Sequence, residues 1–175
     1  MRKIIGGFAV SIDGFIEGPN GEYDWIINDP EYFKEYSRQW KKIDAMLYGR
    51  KTYETVIKHK SNLKPFAHMK HYAFSHSLKK LEPEFILMNG DIKDDIMRIK
   101  NEPGKDIAVF GGAEFLSSLI NLKLIDELIL AICPIILGKG KPFFINIEER
   151  NHFSLKSSKS YSSGLVALTY EAKSI

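Results

Sequence analysis

The sequence predicts an α/β fold with a mostly parallel central sheet, flanked by helices and closed by an antiparallel C-terminal hairpin. First, short apolar runs alternate with segments of helical spacing along the 175 residues. Second, several apolar runs lead directly into glycine and a helix start, which is typical of strand–turn–helix units. Third, two β-rich segments, 152–161 and 165–172, flank the turn Ser162-Ser163-Gly164.

Local patterns place the individual elements. Strands are predicted at 3–10, 45–48, 70–75, 85–88, 107–110, 126–137, 152–161 and 165–172. Helices are predicted to begin after Asp29, Gly49, Asp91 and Gly112. Asp29 and Asp91 suit the N-cap position because their carboxylates can accept hydrogen bonds from the first free N–H groups. Pro134 interrupts the 126–137 run, which predicts an edge, a bulge or a bend there.

Composition narrows the class of protein. The length and the 44% hydrophobic content indicate one globular domain, 1–175. A net charge of +3 is too small to indicate nucleic acid or a membrane surface as a partner. The single Cys133 excludes an internal disulfide, and its apolar surroundings indicate a buried small side chain. No apolar run approaches the ~20 residues of a membrane span and no signal peptide is evident, so we expect a cytoplasmic protein.

The stretch 106–122 has the outline of a phosphate site. An apolar strand ends at Phe110, Gly111-Gly112 follows, and a helix begins. The two glycines permit close approach, and a helix start offers free N–H groups and the positive end of its dipole. A plain strand-to-helix connection has the same pattern, so this stretch alone does not distinguish a phosphate site from an ordinary connection.

Two further turns favour an anion at the same edge of the sheet. Gly49-Arg50-Lys51-Thr52 places two cations at a helix start, where they oppose the dipole unless an anion binds. Ser75-His76-Ser77 follows another strand, although an ordinary turn would look the same. Because ligands of parallel sheets bind at the carboxyl ends of the strands, the three turns together suit a ligand with several phosphates, such as a dinucleotide.

Familiar catalytic and metal motifs are absent from the sequence. It contains no G-x-x-x-x-G-K-[ST], G-x-G-x-x-G or G-x-S-x-G pattern. His68, His71 and His76 have no carboxylate or cysteine at metal-ligand spacing, so we interpret them as surface histidines and expect no metal site.

Six short motifs in order resemble the dihydrofolate-reductase-like family, specifically the RibD C-terminal group of riboflavin-biosynthesis reductases. They are SIDGFI at 11–16, YGRKTYE at 48–54, FSHS at 74–77, FGGA at 110–113, IDEL at 125–128 and PIILGKGKPFF at 134–144. The resemblance covers nearly the whole chain. It implies an NADPH cofactor and hydride transfer to a pteridine, pyrimidine or similar heterocycle, as in 5-amino-6-(5-phosphoribosylamino)uracil reductase.

The resemblance also implies roles for individual residues. The cofactor-binding set comprises Val10, Ile16, Gly49, Arg50, Lys51, Thr52, Ser75, His76, Ser77, Gly111, Gly112, Ala113 and Glu114. Within it, the 75–77 segment would lie near the adenosine ribose and its 2′-phosphate, and the 111–114 turn near the pyrophosphate. On the substrate side we expect Asp13, Trp25, Tyr53 and Phe110, with Asp13 as the catalytic candidate and Ser11 beside it.

Two departures from the family pattern leave alternatives open. Phe110 occupies a position where riboflavin reductases typically carry an acidic residue that can bind a sugar hydroxyl. The H-x-E and P-C-x-x-C motifs of the partner deaminase domain are also absent. Because an acid is missing at Phe110 and no residue is placed as the proton donor, a non-catalytic module that binds a nucleotide or a pterin is a second hypothesis. A third hypothesis is a homodimer formed through the 126–137 strand and the C-terminal hairpin.

Overall fold

Alternating strands and helices make up the computed structural model, which describes residues 1–173. Its strands are β1 (Ile4–Ser11), β2 (Phe15–Glu17), β3 (Ile43–Gly49), β4 (Lys70–Phe74), β5 (Phe85–Met88), β6 (Asp106–Gly111), β7 (Glu127–Cys133), β8 (Lys141–Pro142), β9 (Phe153–Ser160) and β10 (Val166–Ala172). Its helices are α1 (Pro30–Trp40), α2 (Arg50–Lys58), α3 (Ile92–Asn101) and α4 (Ala113–Asn121), with a 3-10 turn at Lys64–Phe66.

The main sheet is mostly parallel, as predicted. Its eight strands run in the order β5-β4-β3-β6-β1-β7-β10-β9. Strand β1 pairs in parallel with both β6 and β7, while β10 runs antiparallel to β7 and to β9. The C-terminal hairpin therefore forms the antiparallel end of the sheet. Strands β2 and β8 form a separate two-stranded sheet that the sequence patterns did not predict.

Helices cover both faces of the sheet because strand residues alternate in direction. On β3, Ala45 and Leu47 join a core cluster with residues of α3 and α4. Met46 and Tyr48 point to the other face and pack in a second cluster with residues of α2 and with Trp40 of α1. Within residues 1–173, none of the helices combines the length and apolar composition that a membrane crossing needs.

The predicted helix starts at Asp29 and Asp91 are confirmed. The Asp29 carboxylate accepts a hydrogen bond from the Tyr32 amide at 2.8 Å, and Asp91 accepts from the Asp94 amide at 3.1 Å. Each bond satisfies a helix N–H group that has no partner inside its helix. Cys133 is fully buried, as expected from its apolar neighbours.

The predicted 126–137 strand was too long at its carboxyl end. Strand β7 stops at Cys133, and the Ile135 amide then bonds to the Cys133 carbonyl at 2.8 Å. Pro134 has no N–H group to continue the ladder, so the chain bends there. Both edges of β7 are already paired in the sheet, so strand-to-strand contact between two copies cannot use it. The homodimer itself remains a prediction.

Candidate functional site

A cleft of about 150 Å³ lies at the carboxyl edge of the sheet, where β3, β4 and β6 end. It is lined by Gly49, Arg50, Lys51, Thr52, Phe74, Ser75, His76, Met88, Gly90, Ile92, Gly112, Ala113, Glu114, Phe115 and Lys141. A single water needs roughly 10–15 Å³, so the cleft accommodates a much larger group. The fold thus brings all three predicted turns to one place. The binding role assigned to them remains a prediction.

Two helices begin at this cleft. Helix α2 follows Gly49 and helix α4 follows Gly112, and residues of both first turns line the cleft. Glycine has no side chain that could accept a hydrogen bond, so neither N-cap satisfies the first N–H groups of its helix. Both helices therefore present free donors and the positive ends of their dipoles, an arrangement that attracts anions.

Glutamates neutralise the cations at the start of α2. The Lys51 ammonium lies 2.8 Å from Glu114 on α4, and the Arg50 guanidinium lies 2.8 Å from Glu54 one helical turn further along. The pKa of Glu114 is lowered, first because Lys51 donates to it and further because Lys141 and Arg50 attract its charge. The positive charges are thus close enough to act on one carboxylate.

Lys141 reaches the cleft from a segment that we call the strap, residues 137–143. Its Nζ lies 3.1 Å from Glu17 and 4.0 Å from the point where a Cβ on Gly112 would stand. A Cβ on Gly140 would lie only 2.2 Å from the Glu17 carbonyl oxygen, so only glycine permits the strap to approach β2 this closely. In the sequence, Lys141 appears only within the motif at 134–144, and its place in the cleft was not predicted.

Ser75 shapes the loop after β4. Its buried hydroxyl accepts hydrogen bonds from the amides of Ser77 at 3.2 Å and Leu78 at 3.1 Å. The exposed His76 side chain uses Nδ1 to bond the Asn89 carbonyl at 3.1 Å, so this nitrogen carries a proton. Ser75 and His76 line the cleft, whereas Ser77 supports the turn beside it.

Asp13 holds the strap in place. Its carboxylate accepts hydrogen bonds from the Ser11 hydroxyl at 2.7 Å, the Gly138 amide at 2.7 Å and the Leu137 amide at 3.1 Å. These bonds, that of Ser11 first, lower the pKa of Asp13 below its ordinary value. Asp13 is therefore an ionised acceptor at neutral pH, which does not suit a proton donor.

Four other predicted site residues have buried or half-buried side chains outside the cleft. Tyr53 is buried over Phe85, and its hydroxyl accepts from the Glu82 amide at 3.0 Å; its contact with substrate stays a prediction. Val10 and Ile16 lie in the main core cluster, and Trp25 packs in a third cluster that contains Cys133 and Tyr161. Thr52 lines the cleft and its neighbour Tyr53 does not, because consecutive residues of a helix point about 100° apart.

Phe110 is 36% exposed and rests on a buried aromatic pair. Its ring centroid lies 5.0 Å from that of Tyr48, whose hydroxyl is 2.8 Å from His71 Nδ1. His71 Nε2 lies 3.1 Å from the Phe66 carbonyl, which can only accept, so Nε2 carries the proton and Tyr48 donates to Nδ1. His71 is only 3% exposed, so its prediction as a surface histidine was wrong.

The sheet order and the cleft define an α/β domain of dihydrofolate-reductase-like architecture with an anion-attracting site at its carboxyl edge. The chain belongs to the RibD C-terminal domain family, which matches residues 2–167. Within residues 1–173, no group of three or more His, Cys, Asp or Glu side chains is placed to hold a metal ion.

The chain is also similar to other proteins in sequence and in structure. The uncharacterized Bacillus subtilis (strain 168) protein YyaP is 38% identical over 97% of this chain and 95% of its own length. A protein from Shewanella sp. PV-4, provisionally named a riboflavin biosynthesis protein, superposes on this chain with a TM-score of 0.87. The two are 23% identical, and the match covers 99% of this chain and 100% of that one. Enterococcus faecalis dihydrofolate reductase in complex with NADP(H) gives a TM-score of 0.71. It is 16% identical, and the match covers 98% of this chain and 97% of that one. At these identities, the structural matches show the fold alone.

Proposed function

We propose that this protein is an NADPH-dependent reductase that transfers hydride to a pteridine, pyrimidine or similar small heterocycle. The observation that carries the proposal is the meeting of two glycine-capped helix starts with Arg50, Lys51 and Lys141 in one cleft. Such a set of donors and positive charges matches the pyrophosphate of a dinucleotide. The NADP(H) complex of the structurally similar Enterococcus faecalis enzyme supports the same choice.

The residues of the cleft fit this cofactor. A Cβ on Gly112 would lie 2.9 Å from the Thr52 hydroxyl oxygen, so glycine lets the start of α2 come close to the Gly111-Gly112 turn. The Gly111-Gly112 turn and Thr52 would hold the pyrophosphate. Arg50 and Ser75 would hold the ribose 2′-phosphate beside His76, because a planar guanidinium and a hydroxyl can donate to phosphate oxygens.

The reacting hydride comes from the cofactor, and the protein positions the partners and excludes water. On the proposed substrate side, Phe110 presents a partly exposed ring supported by Tyr48. A planar heterocycle can stack on such a face, whereas a sugar hydroxyl finds no carboxylate at this position. Since Asp13 is held ionised, the proton that accompanies hydride transfer comes from water or from the substrate's own groups.

Calorimetric titration with NADPH tests the cofactor assignment. We expect saturable binding by the wild type, and a loss of about five- to ten-fold in affinity for Arg50→Ala, which removes a charged phosphate ligand. Lys58→Ala, at the exposed far end of the same helix, is the matched control and should leave the affinity unchanged. Absence of saturable binding, or equal affinities of wild type and Arg50→Ala, would refute the assignment.

Turnover separates the reductase from a binding module. NADPH oxidation should be followed with a panel of pterins, pyrimidines and quinones at saturating cofactor. A reductase oxidises the cofactor with at least one planar heterocycle. Tight NADPH binding without oxidation across the panel would instead favour the non-catalytic module. This second candidate is supported by the hydrogen bonds of Asp13 to the strap, because they occupy the carboxylate that was the catalytic candidate.

A further inference from the structure

Lys141 enters the anion cleft from outside the strand–turn–helix units that build it. The strap carries its ammonium over the Gly111-Gly112 turn, where Nζ lies 4.0 Å from the position of a Cβ on Gly112. Its side chain lines the same cleft as Lys51 and Thr52. A fourth segment of the chain, distant from the three predicted turns, thus contributes a positive charge to the site.

In the structure, Glu17 on β2 partners this charge. The ammonium and the carboxylate are 3.1 Å apart, and 35% of the Lys141 side chain and 37% of the Glu17 side chain remain exposed. Water screens a pair with this exposure, so the ion pair is weak and easily exchanged. Glu17 is not among the residues that line the cleft, so it draws the ammonium away without filling the site.

We propose that Lys141 is a ligand of the cofactor pyrophosphate and that it forms its ion pair with Glu17 only until the cofactor binds. On binding, the ammonium exchanges the Glu17 carboxylate for a phosphate oxygen. This inference rests on the proposed function and deepens it, since it adds the strap to the pyrophosphate contacts.

The physical chemistry of the two partners favours this exchange. An ammonium on a flexible four-carbon stem can turn between acceptors while the backbone of the strap stays in place. A pyrophosphate offers more charge and more acceptor oxygens than one carboxylate, and it would lie at the positive ends of α2 and α4. Glu17 therefore pairs with the ammonium when no phosphate is bound in the cleft, and the pyrophosphate replaces Glu17 as its partner on binding.

The strap does not need the ion pair to stay in place. The Asp13 carboxylate accepts from the Leu137 and Gly138 amides, and the Phe143 amide donates to the Gly14 carbonyl at 2.9 Å. The short β2–β8 pairing adds further attachment. The Lys141–Glu17 ion pair is therefore not needed to hold the strap. A role in placing a positive charge over the cleft accounts for its position.

Opposite effects of two substitutions test the proposal. Affinities for inorganic pyrophosphate and for NADPH should be measured by calorimetry for the wild type, Lys141→Gln and Glu17→Gln. We expect Lys141→Gln to weaken both affinities about five-fold, and Glu17→Gln to strengthen them about two- to three-fold because the competing carboxylate is neutralised. Lys139→Gln removes the same charge from an exposed position of the same turn and should change neither affinity.

The effect of Lys141→Arg and the direction of each affinity change distinguish the possible outcomes. Lys141→Arg keeps the charge and should recover most of the affinity lost in Lys141→Gln. If Lys141 only fastens the strap, Lys141→Gln and Glu17→Gln weaken binding alike, which overturns the proposal. Equal affinities of the wild type and Lys141→Gln for NADPH overturn it while leaving the reductase assignment intact. Absence of NADPH binding by the wild type overturns the proposed function and this inference together.

Discussion

The buried Tyr48–His71 pair predicts that acid destabilises this protein through one identifiable side chain. His71 donates to the Phe66 carbonyl through Nε2 and accepts from the Tyr48 hydroxyl through Nδ1. Burial, the largest cause, lowers the pKa of His71 below its usual 6.5. The imidazole is therefore neutral in the folded protein at neutral pH.

The direction of the pH effect follows from the two protonation states. Below about pH 6.5, a histidine in the unfolded chain binds a proton that folded His71 does not. The free energy of unfolding is thus unaffected by this group above pH ~6.5. It falls as the pH decreases from there towards the folded pKa, by at most about 1.4 kcal/mol per pH unit.

Replacement of His71 by phenylalanine separates the titration from the packing. His71→Phe leaves the Tyr48 hydroxyl without its nitrogen acceptor, at a cost of about 1–3 kcal/mol, while the Phe66 carbonyl keeps its hydrogen bond from the Met69 amide. For a domain of this size, each kcal/mol corresponds to roughly 2–4 °C in Tm. We therefore expect the variant to be less stable than the wild type at neutral pH and less sensitive to acid.

Urea unfolding followed by circular dichroism, between about pH 7.5 and 5.5, measures both effects. Other titrating groups contribute equally to both proteins, so the difference between the two pH slopes isolates His71. His59→Phe, at an exposed position just after α2, is the matched control and should retain the wild-type slope. An identical slope for His71→Phe and the wild type would refute the assignment of a neutral buried imidazole.

Three further predictions concern the strap and the cofactor. Gly140→Ala should lower the free energy of unfolding by about 1–3 kcal/mol in urea titrations, because its Cβ would collide with the Glu17 carbonyl; an unchanged midpoint would contradict the close approach. Asp13→Ala should speed hydrogen exchange of the Leu137 and Gly138 amides, and unaltered rates would show that the carboxylate does not hold them. NADPH at 100 times its Kd should raise the unfolding free energy by about 2.7 kcal/mol in thermal scans, and no shift would argue against binding.

Local signals predicted the parts of the fold that local chemistry determines. Asp29 and Asp91 cap their helices as expected because N-capping depends on the cap residue and its next few neighbours. The three anion-friendly turns also meet as predicted, since parallel strands bring their carboxyl ends to one edge. Strands β2 and β8 were missed because runs of three and two residues carry no periodicity and exist only through their mutual pairing.

Side-chain direction was the harder part of the site to predict. Tyr53 follows Thr52 directly, yet it is buried on the other side of α2, because consecutive helical residues point about 100° apart. Lys141 was missed for a different reason. Its place in the cleft depends on the pairing of the strap with β2, more than 100 residues away in sequence, and no local pattern reveals such a contact.

The central position of β1 has a consequence for how the chain folds. This first strand lies between β6 and β7, with Ile4 opposite Ile107 and Ile5 opposite Glu127. During synthesis β1 leaves the ribosome long before either neighbour exists, and its backbone groups stay unpaired until most of the chain has followed. Contacts this distant in sequence slow folding, since a large loop must close before they form. Incomplete chains that end before Asp106 therefore expose an apolar, unpaired strand that invites aggregation.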